Sequence, residues 1–416
     1  MRTTRLLADR NRRDVQNPQD TQLQQRDPQN PPDTQNPPDT QNPPDTQNPR
    51  DTQIKQRDPQ NPQDAHDTTI ARDRWQNPRS PRDTRDPFFD NAKFLLIVLV
   101  ALGHSWEQII EGTHALQAVH TVVYAFHMPA FILLCGYFSQ RFTGRPDQVR
   151  RLIEGVLIPY LLFETAYSAT YSAVRGEPFA LTPTEPTYLC WFLIALFLWR
   201  LSTPLWRAVR HPVPIAVLVS LAAGLTTMGY DLALPRVLMF LPWFVLGLRL
   251  RPEHFALLRT RLARRCAVVA FACAAMGAYL LIPAPDEHWL SMDAGYTDLD
   301  VSWPRYLAVR IAIFAVSAVL VAAFLACVPR RRTLFTALGA ATMYPYLLHG
   351  LLIRAGEAAG LYPFLKDLGA AGQILLTLGV ITTVFLLSTP PVRKLFRPLV
   401  EPRLPRTAIP PDDRSR

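Results

Sequence analysis

The sequence predicts an all-α polytopic membrane protein, a helix bundle of about ten transmembrane helices preceded by a disordered N-terminal tail. Three observations lead there. The 416-residue chain is 48% hydrophobic, and its apolar residues gather after residue 87 in runs near the roughly 20 that a helix needs to span a bilayer. Cations are abundant in one loop between runs and sparse in the next, as membrane topology requires. The first 87 residues carry few apolar side chains and so have little to bury.

Within that first stretch, residues 29–52 repeat a hexad, QNPPDT three times and then QNPRDT, with a degenerate QNPQDT at 16–21. A six-residue period can mark a β-helix, but such a coil needs an aliphatic residue pointing inward at each turn. These repeats have none, and a proline in every hexad blocks helix and sheet alike. Residues 1–87 are therefore expected to be a disordered cytoplasmic tail. No signal-peptide core precedes the first helix, and a natural start near Arg85 is an alternative reading.

Ten apolar segments follow: 92–110, 118–138, 151–174, 187–206, 212–228, 236–250, 265–283, 306–328, 334–353 and 369–388. The sixth is short and interrupted by Pro242. Loops that this count places in the cytoplasm hold clusters such as Arg141, Arg145, Arg150 and Arg151, or Arg330–Arg332. The alternate loops hold Arg175, Arg236, Arg305, Arg354 and Lys366, and one of them, 284–304, is acidic. That alternation fits ten helices in the plasma or inner membrane with both termini cytoplasmic. The expected division is a membrane domain at 88–392 and a basic, proline-rich cytoplasmic tail at 393–416. The net charge of +10 does not signal nucleic acid, because the cations cluster between apolar runs and form no stripe. The five cysteines lie inside apolar runs without metal or disulfide spacing and are expected to be packing thiols.

The first run, KFLLIVLVALGH (93–104), opens on a cation and ends on a histidine. Eleven residues are close to three turns, so Lys93 and His104 share a face about 16 Å apart along the axis. Ionisable groups at such depth are costly and mark function by default. The topology puts His127 at nearly the depth of His104, with Glu164 and His349 a little further outward and Glu107 one turn beyond His104. Any one of them is equally well read as a packing brace. Together they suggest a polar chamber in the outer half of the bundle. A neutral imidazole suits proton abstraction from a hydroxyl, and Glu107 at i+3 either orients it or is an interfacial acid. Lys93 is placed to meet phosphates at the inner lip while an extended phosphopantetheine arm reaches the histidine.

At these residues the sequence resembles the acyltransferase type 3 family of integral-membrane O-acyltransferases, and within it the fucose 4-O-acetylase-like branch. The opening FFDNAKFLLIVLVALGH (88–104) carries the first-helix signature of a basic residue, ten residues and a histidine, met by Lys93 and His104. FHMPAFILLCGYF (126–138) matches the second block with His127, Met128, Pro129, Gly136 and Tyr137, but has Cys135 where serine is usual. The basic run before the third helix is present as Arg150 and Arg151, with Glu154 where a second arginine is expected. Trp191-Phe192-Leu193 and Tyr346-x-x-His349 follow.

The resemblance implies an acyl-CoA donor, acetyl-CoA first, bound from the cytoplasm by Lys93, Arg150 and Arg151, with His104 essential and Glu107 beside it. The acceptor is implied to be a hydroxyl of a sugar, polysaccharide or related molecule, and the chamber expected to meet it holds His127, Glu164, Trp191, Tyr346 and His349. Membrane lipid is the expected surround, and neither metal nor nucleic acid is expected. A proton-coupled transporter or flippase is the competing reading, since buried His and Glu suit it too, although the halves show no internal repeat. A degenerate member with a sensing role is the third.

Overall fold

The computed structural model describes residues 86–111, 113–176, 178–281 and 287–403. The hexad repeats and Asp286 lie outside that range. Every regular element is helical, with no strand among the described residues. Asp86 starts the first helix: its carboxylate accepts the Phe88 amide at 3.0 Å, and Pro87 pre-sets the first turn.

Helix α1 is Pro87–Trp106, α2 His114–Ser139, α3 Pro146–Arg175, α4 Tyr188–Leu201 and α5 Pro212–Ala223. Helix α6 comprises Asp231–Met239 and Leu241–Arg249, bent by 56°. Then come α7 (Arg261–Leu280), α8 (Trp303–Cys327), α9 (Met343–Ala358), α10 (Ala370–Leu387) and α11 (Pro390–Val400). Six of these (α1, α2, α3, α7, α8 and α10) are long and apolar enough to cross a membrane, or seven if bent α6 is one span, while α4 and α5 are shorter apolar helices.

Each apolar run of the sequence overlaps a helix, but the ninth is displaced. A span was expected over 334–353, whereas α9 starts at Met343. The cause is polar docking onto the start of α1. Asn91 donates to the carbonyls of Pro329 and Arg331 and accepts from the Thr333 and Thr336 hydroxyls. Gly339 sits so close that a Cβ there would lie 2.0 Å from the Asp90 carbonyl oxygen. At 393, within the expected tail, α11 is helical and Arg393 lies over the Tyr344 ring.

The bundle has two distinct ends. Phe89 stacks on Tyr137 and Lys93 lies over Phe138, so α1 begins where α2 finishes. At the other end the Trp106 indole donates to Thr377 and Gln373 donates to Thr113, pinning the end of α1 and the cap of α2 to the first half of α10. Within α3, Pro159 lacks an amide to continue the regular ladder, and residues Ile153–Leu157 form one wide π-type turn before it.

Helices α2 and α6 meet backbone to backbone. A Cβ on Gly136 would lie 2.1 Å from the Phe244 carbonyl oxygen, and one on Gly247 would lie 2.1 Å from that of Leu133. Close approach of this kind is what small residues provide between membrane helices. Gly247→Ala is expected to destabilise by about 2–3 kcal/mol through overpacking, read as a lower unfolding temperature in detergent. An unchanged temperature would show that the crossing tolerates separation.

The cysteines need a correction. Cys190 is buried and Cys135 partly so, but Cys266, Cys273 and Cys327 are exposed on the bundle's outer surface rather than packed. An apolar run satisfies lipid as well as a core, so the run alone does not say which way a thiol faces.

Candidate active site

Glycine places the reacting groups. Gly103 lets the Tyr124 ring lie directly against α1, where a Cβ would come within 2.8 Å of the ring. His104 follows on the last turn of α1, and Glu107 caps the helix. The Nδ1 of His104 is 3.4 Å from Glu107 Oε2 and 3.2 Å from the Tyr124 hydroxyl. Tyr124 donates in turn to Glu107 Oε1. With Nδ1 so engaged, Nε2 of His104 has no hydrogen bond among the described residues.

Helix α2 contributes a face of three polar rings. His120, Tyr124 and His127 are spaced i, i+4, i+7 and so line up. The His120 ring stacks on Tyr124 at 4.1 Å, and its Nε2 is 3.9 Å from Glu107 Oε1. His127 is buried, and its Nδ1–H donates to the Val123 carbonyl at 2.8 Å, which fixes the tautomer.

These groups open on a cavity of about 350 Å³. His104, Glu107, Tyr124 and His127 form one side, Trp191, Phe192, Phe240 and Tyr346 an aromatic side, and Glu287, His288 and Asp293 a polar rim. Arg236 completes the wall. Its guanidinium lies 5.0 Å over Trp191, donates to the Tyr230 hydroxyl at 2.7 Å and pairs with Asp293 at 2.5 Å. Asp293 also meets His288 Nδ1 at 2.8 Å. Arg310, fully buried on α8, holds this rim by donating to the carbonyls of Trp289 and Ala294.

Five of the expected residues thus share one cavity: His104, Glu107, His127, Trp191 and Tyr346. Two others lie elsewhere among the described residues. Glu164 is buried but faces away from the cavity, because its carboxylate is consumed by the Thr187 amide and hydroxyl and by Ser168. It clasps the start of α4 to α3. His349 has its ring 6.0 Å from that of His104, yet it lines a second, mostly apolar cavity of about 260 Å³ with Ser105, Leu352, Leu376 and Val380. Its Nδ1–H donates to the Pro345 carbonyl, and Nε2 has no partner among the described residues.

The three expected donor cations lie apart from the cavity, and each meets a carboxylate. Lys93 pairs with Asp90 at 2.7 Å, Arg150 with Glu154 at 2.8 Å and Arg151 with Asp147 at 2.5 Å. Glu154, which replaces an expected arginine, thereby offsets Arg150. Between Lys93 and His104 the same α1 face carries Ile97 and Val100, both buried.

Tyr124, His120, Arg236, Asp293 and Arg310 were not expected in the site. Tyr124 and His120 had a readable signal, since both stand on the His127 face of α2. Arg310 was readable as well, being a cation inside an apolar run. Arg236 and Asp293 are drawn together across 57 positions of chain and carry no local mark.

A family model described as an acyltransferase domain matches residues 86–392. Two proteins named nodulation protein NolL are similar to the chain. The one from Mesorhizobium japonicum is 34% identical over 128 residues, 28% of this chain and 34% of its own length. The one from Sinorhizobium fredii is 30% identical over 179 residues, 40% of this chain and 48% of its own length. The matches therefore span less than half of either relative. No solved structure matches. With most of its length matched by the family model, the chain belongs to the acyltransferase type 3 family of multi-pass membrane proteins.

Proposed function

We propose that this protein moves an acyl group, acetyl in the first instance, from acyl-CoA to a hydroxyl of a sugar or related acceptor. The observation that carries the proposal is the His104 imidazole on the cavity wall, with Glu107 and Tyr124 at Nδ1 and Nε2 left for chemistry. In the step, Nε2 takes the acceptor hydroxyl proton while the oxygen attacks the thioester carbonyl. The tetrahedral intermediate collapses, the C–S bond breaks, and the thiolate leaves with the proton held by the imidazolium. Glu107 fixes the ring and stabilises its positive charge, the role of a carboxylate behind a general base. Aromatic walls and the Arg236–Asp293 pair suit a polyol, which offers apolar C–H faces and hydroxyls together.

The donor is proposed to enter from the Lys93 end, the cytoplasmic side in the charge-based topology. Lys93 would exchange Asp90 for a phosphate, which the partly exposed pair allows at little energetic loss. Ile97 and Val100 lie buried on the α1 face between the two sites, and Val100 lines the reaction cavity. Lys93→Ala is expected to weaken acyl-CoA binding about fivefold, following roughly 1 kcal/mol for one charge contact, and to leave acceptor KM unchanged. Titration with a non-hydrolysable acyl-CoA checks this. Equal loss for both substrates would make Lys93 a topological anchor only.

A further inference from the structure

The second cavity, of about 260 Å³, lies at the level of the reacting histidine. Neighbouring residues of α1 divide the two volumes. Val100 and His104 line the reaction cavity, while Ala101 and Ser105, each one position on and about 100° round the helix, line the second. Helix α9 divides them likewise, with Tyr346 on the first and His349 on the second. The wall is mostly aliphatic, with Leu352, Ile353, Leu376 and Val380 among its residues.

Two features single it out from ordinary lipid-facing surface. His349 is only 3% exposed, and its Nε2 has no partner among the described residues. Since Nδ1–H donates to the Pro345 carbonyl at 2.8 Å, Nε2 carries the lone pair and can only accept. A buried acceptor is costly until a donor meets it. A lipid tail would cover the aliphatic wall but bring no donor. Second, the His349 ring lies 6.0 Å from that of His104, so a group bonded to Nε2 lies close to the reacting carbonyl.

Resting on the acyl-transfer reading above, we infer that this cavity receives the acyl chain of the donor, and that the chain it fits best is short and hydroxylated on its third carbon. The methylenes lie against the aliphatic wall, and the hydroxyl donates to His349 Nε2. Two carbon–carbon bonds separate that hydroxyl from the thioester carbonyl, which stays at His104. Acetyl enters too, but ends short of His349. The bonds made and broken are those of the transfer above, and the hydroxyl on the chain takes no part in them. The reaction cavity, with its polar rim, is left to the acceptor.

Titration of the full chain in nanodiscs tests this, with non-hydrolysable analogues of acetyl-, butyryl- and β-hydroxybutyryl-CoA as probes. The β-hydroxybutyryl analogue should bind about tenfold more tightly than the butyryl one, the scale of one hydrogen bond to a buried acceptor. His349→Phe keeps a ring in the space without a lone pair and should bring these two level. Gly379→Leu places a side chain over the cavity and should weaken both four-carbon analogues while sparing the acetyl one. That substitution is sterically safe, because a Cβ on Gly379 meets nothing within 4 Å. Equal binding of the butyryl and β-hydroxybutyryl analogues by the unaltered protein, or a preference that survives His349→Phe, overturns the inference. So does a loss in Gly379→Leu that all three analogues share. Each of these outcomes leaves acyl transfer standing, whereas an unaltered protein that binds none of the three would overturn that reading together with the inference.

Discussion

His104→Ala is expected to lower acyl transfer by about a thousandfold, the scale on which a positioned general base contributes. The substitution should be well tolerated structurally. His104 lines a cavity rather than filling a core, and the carboxylate it leaves behind, Glu107, keeps the Tyr124 hydroxyl as a donor. Membranes with matched protein levels, supplied with labelled acetyl-CoA, give the comparison directly. Full activity in the variant would remove His104 from the chemistry and with it the step proposed above. Glu107→Gln separates orientation from proton transfer. It keeps a polar group at Nδ1 but removes the charge that stabilises imidazolium, so kcat should fall by roughly a hundredfold or more with little change in KM. A transporter would behave otherwise, because neither variant would alter thioester consumption that it never performs.

Much of this site was legible one helix at a time. The Lys93–His104 spacing, the His127 block and the Trp191 and Tyr346 positions each follow from helical periodicity and from the penalty on polar groups in apolar runs. What periodicity cannot report is the partner across the bundle. Glu164 carries the same depth signal as His127, yet its two oxygens are spent on Thr187 and Ser168. A buried carboxylate satisfied by an amide reads identically in sequence to one that faces a cavity. The cations carry two readings at once. Lys93, Arg150 and Arg151 are each written within four residues of an acid, Asp90, Glu154 and Asp147, and that spacing foretells helical ion pairs as readily as a phosphate site. The rim was hidden for another reason. Arg236 stands on α6 and Asp293 in the connection between α7 and α8, and only the fold brings them to 2.5 Å.

Arg310 should prove the most sensitive residue that touches no reacting atom. It is fully buried on α8, and its guanidinium donates to the carbonyls of Trp289 and Ala294 and to the Tyr306 hydroxyl. No carboxylate lies within ion-pair distance among the described residues, so the charge is solvated by these acceptors and by the Trp289 and Tyr306 rings. Arg310→Leu fills similar space but strands two carbonyls in a dry setting, a loss of about 3 kcal/mol. Because those carbonyls belong to the 289–294 stretch, the loss should appear there as local opening rather than as collapse of the bundle. Hydrogen exchange in peptides covering 289–294 should quicken by about a hundredfold, while peptides from α1 and α2 hold their protection. Transfer should fall with it, since Asp293 and Leu290 would lose their places on the cavity wall. Arg310→Lys retains the charge with fewer donors and should recover part of both effects. Unchanged exchange in Arg310→Leu would mean that the rim holds itself, and that Arg310 is a packing residue for α8 alone.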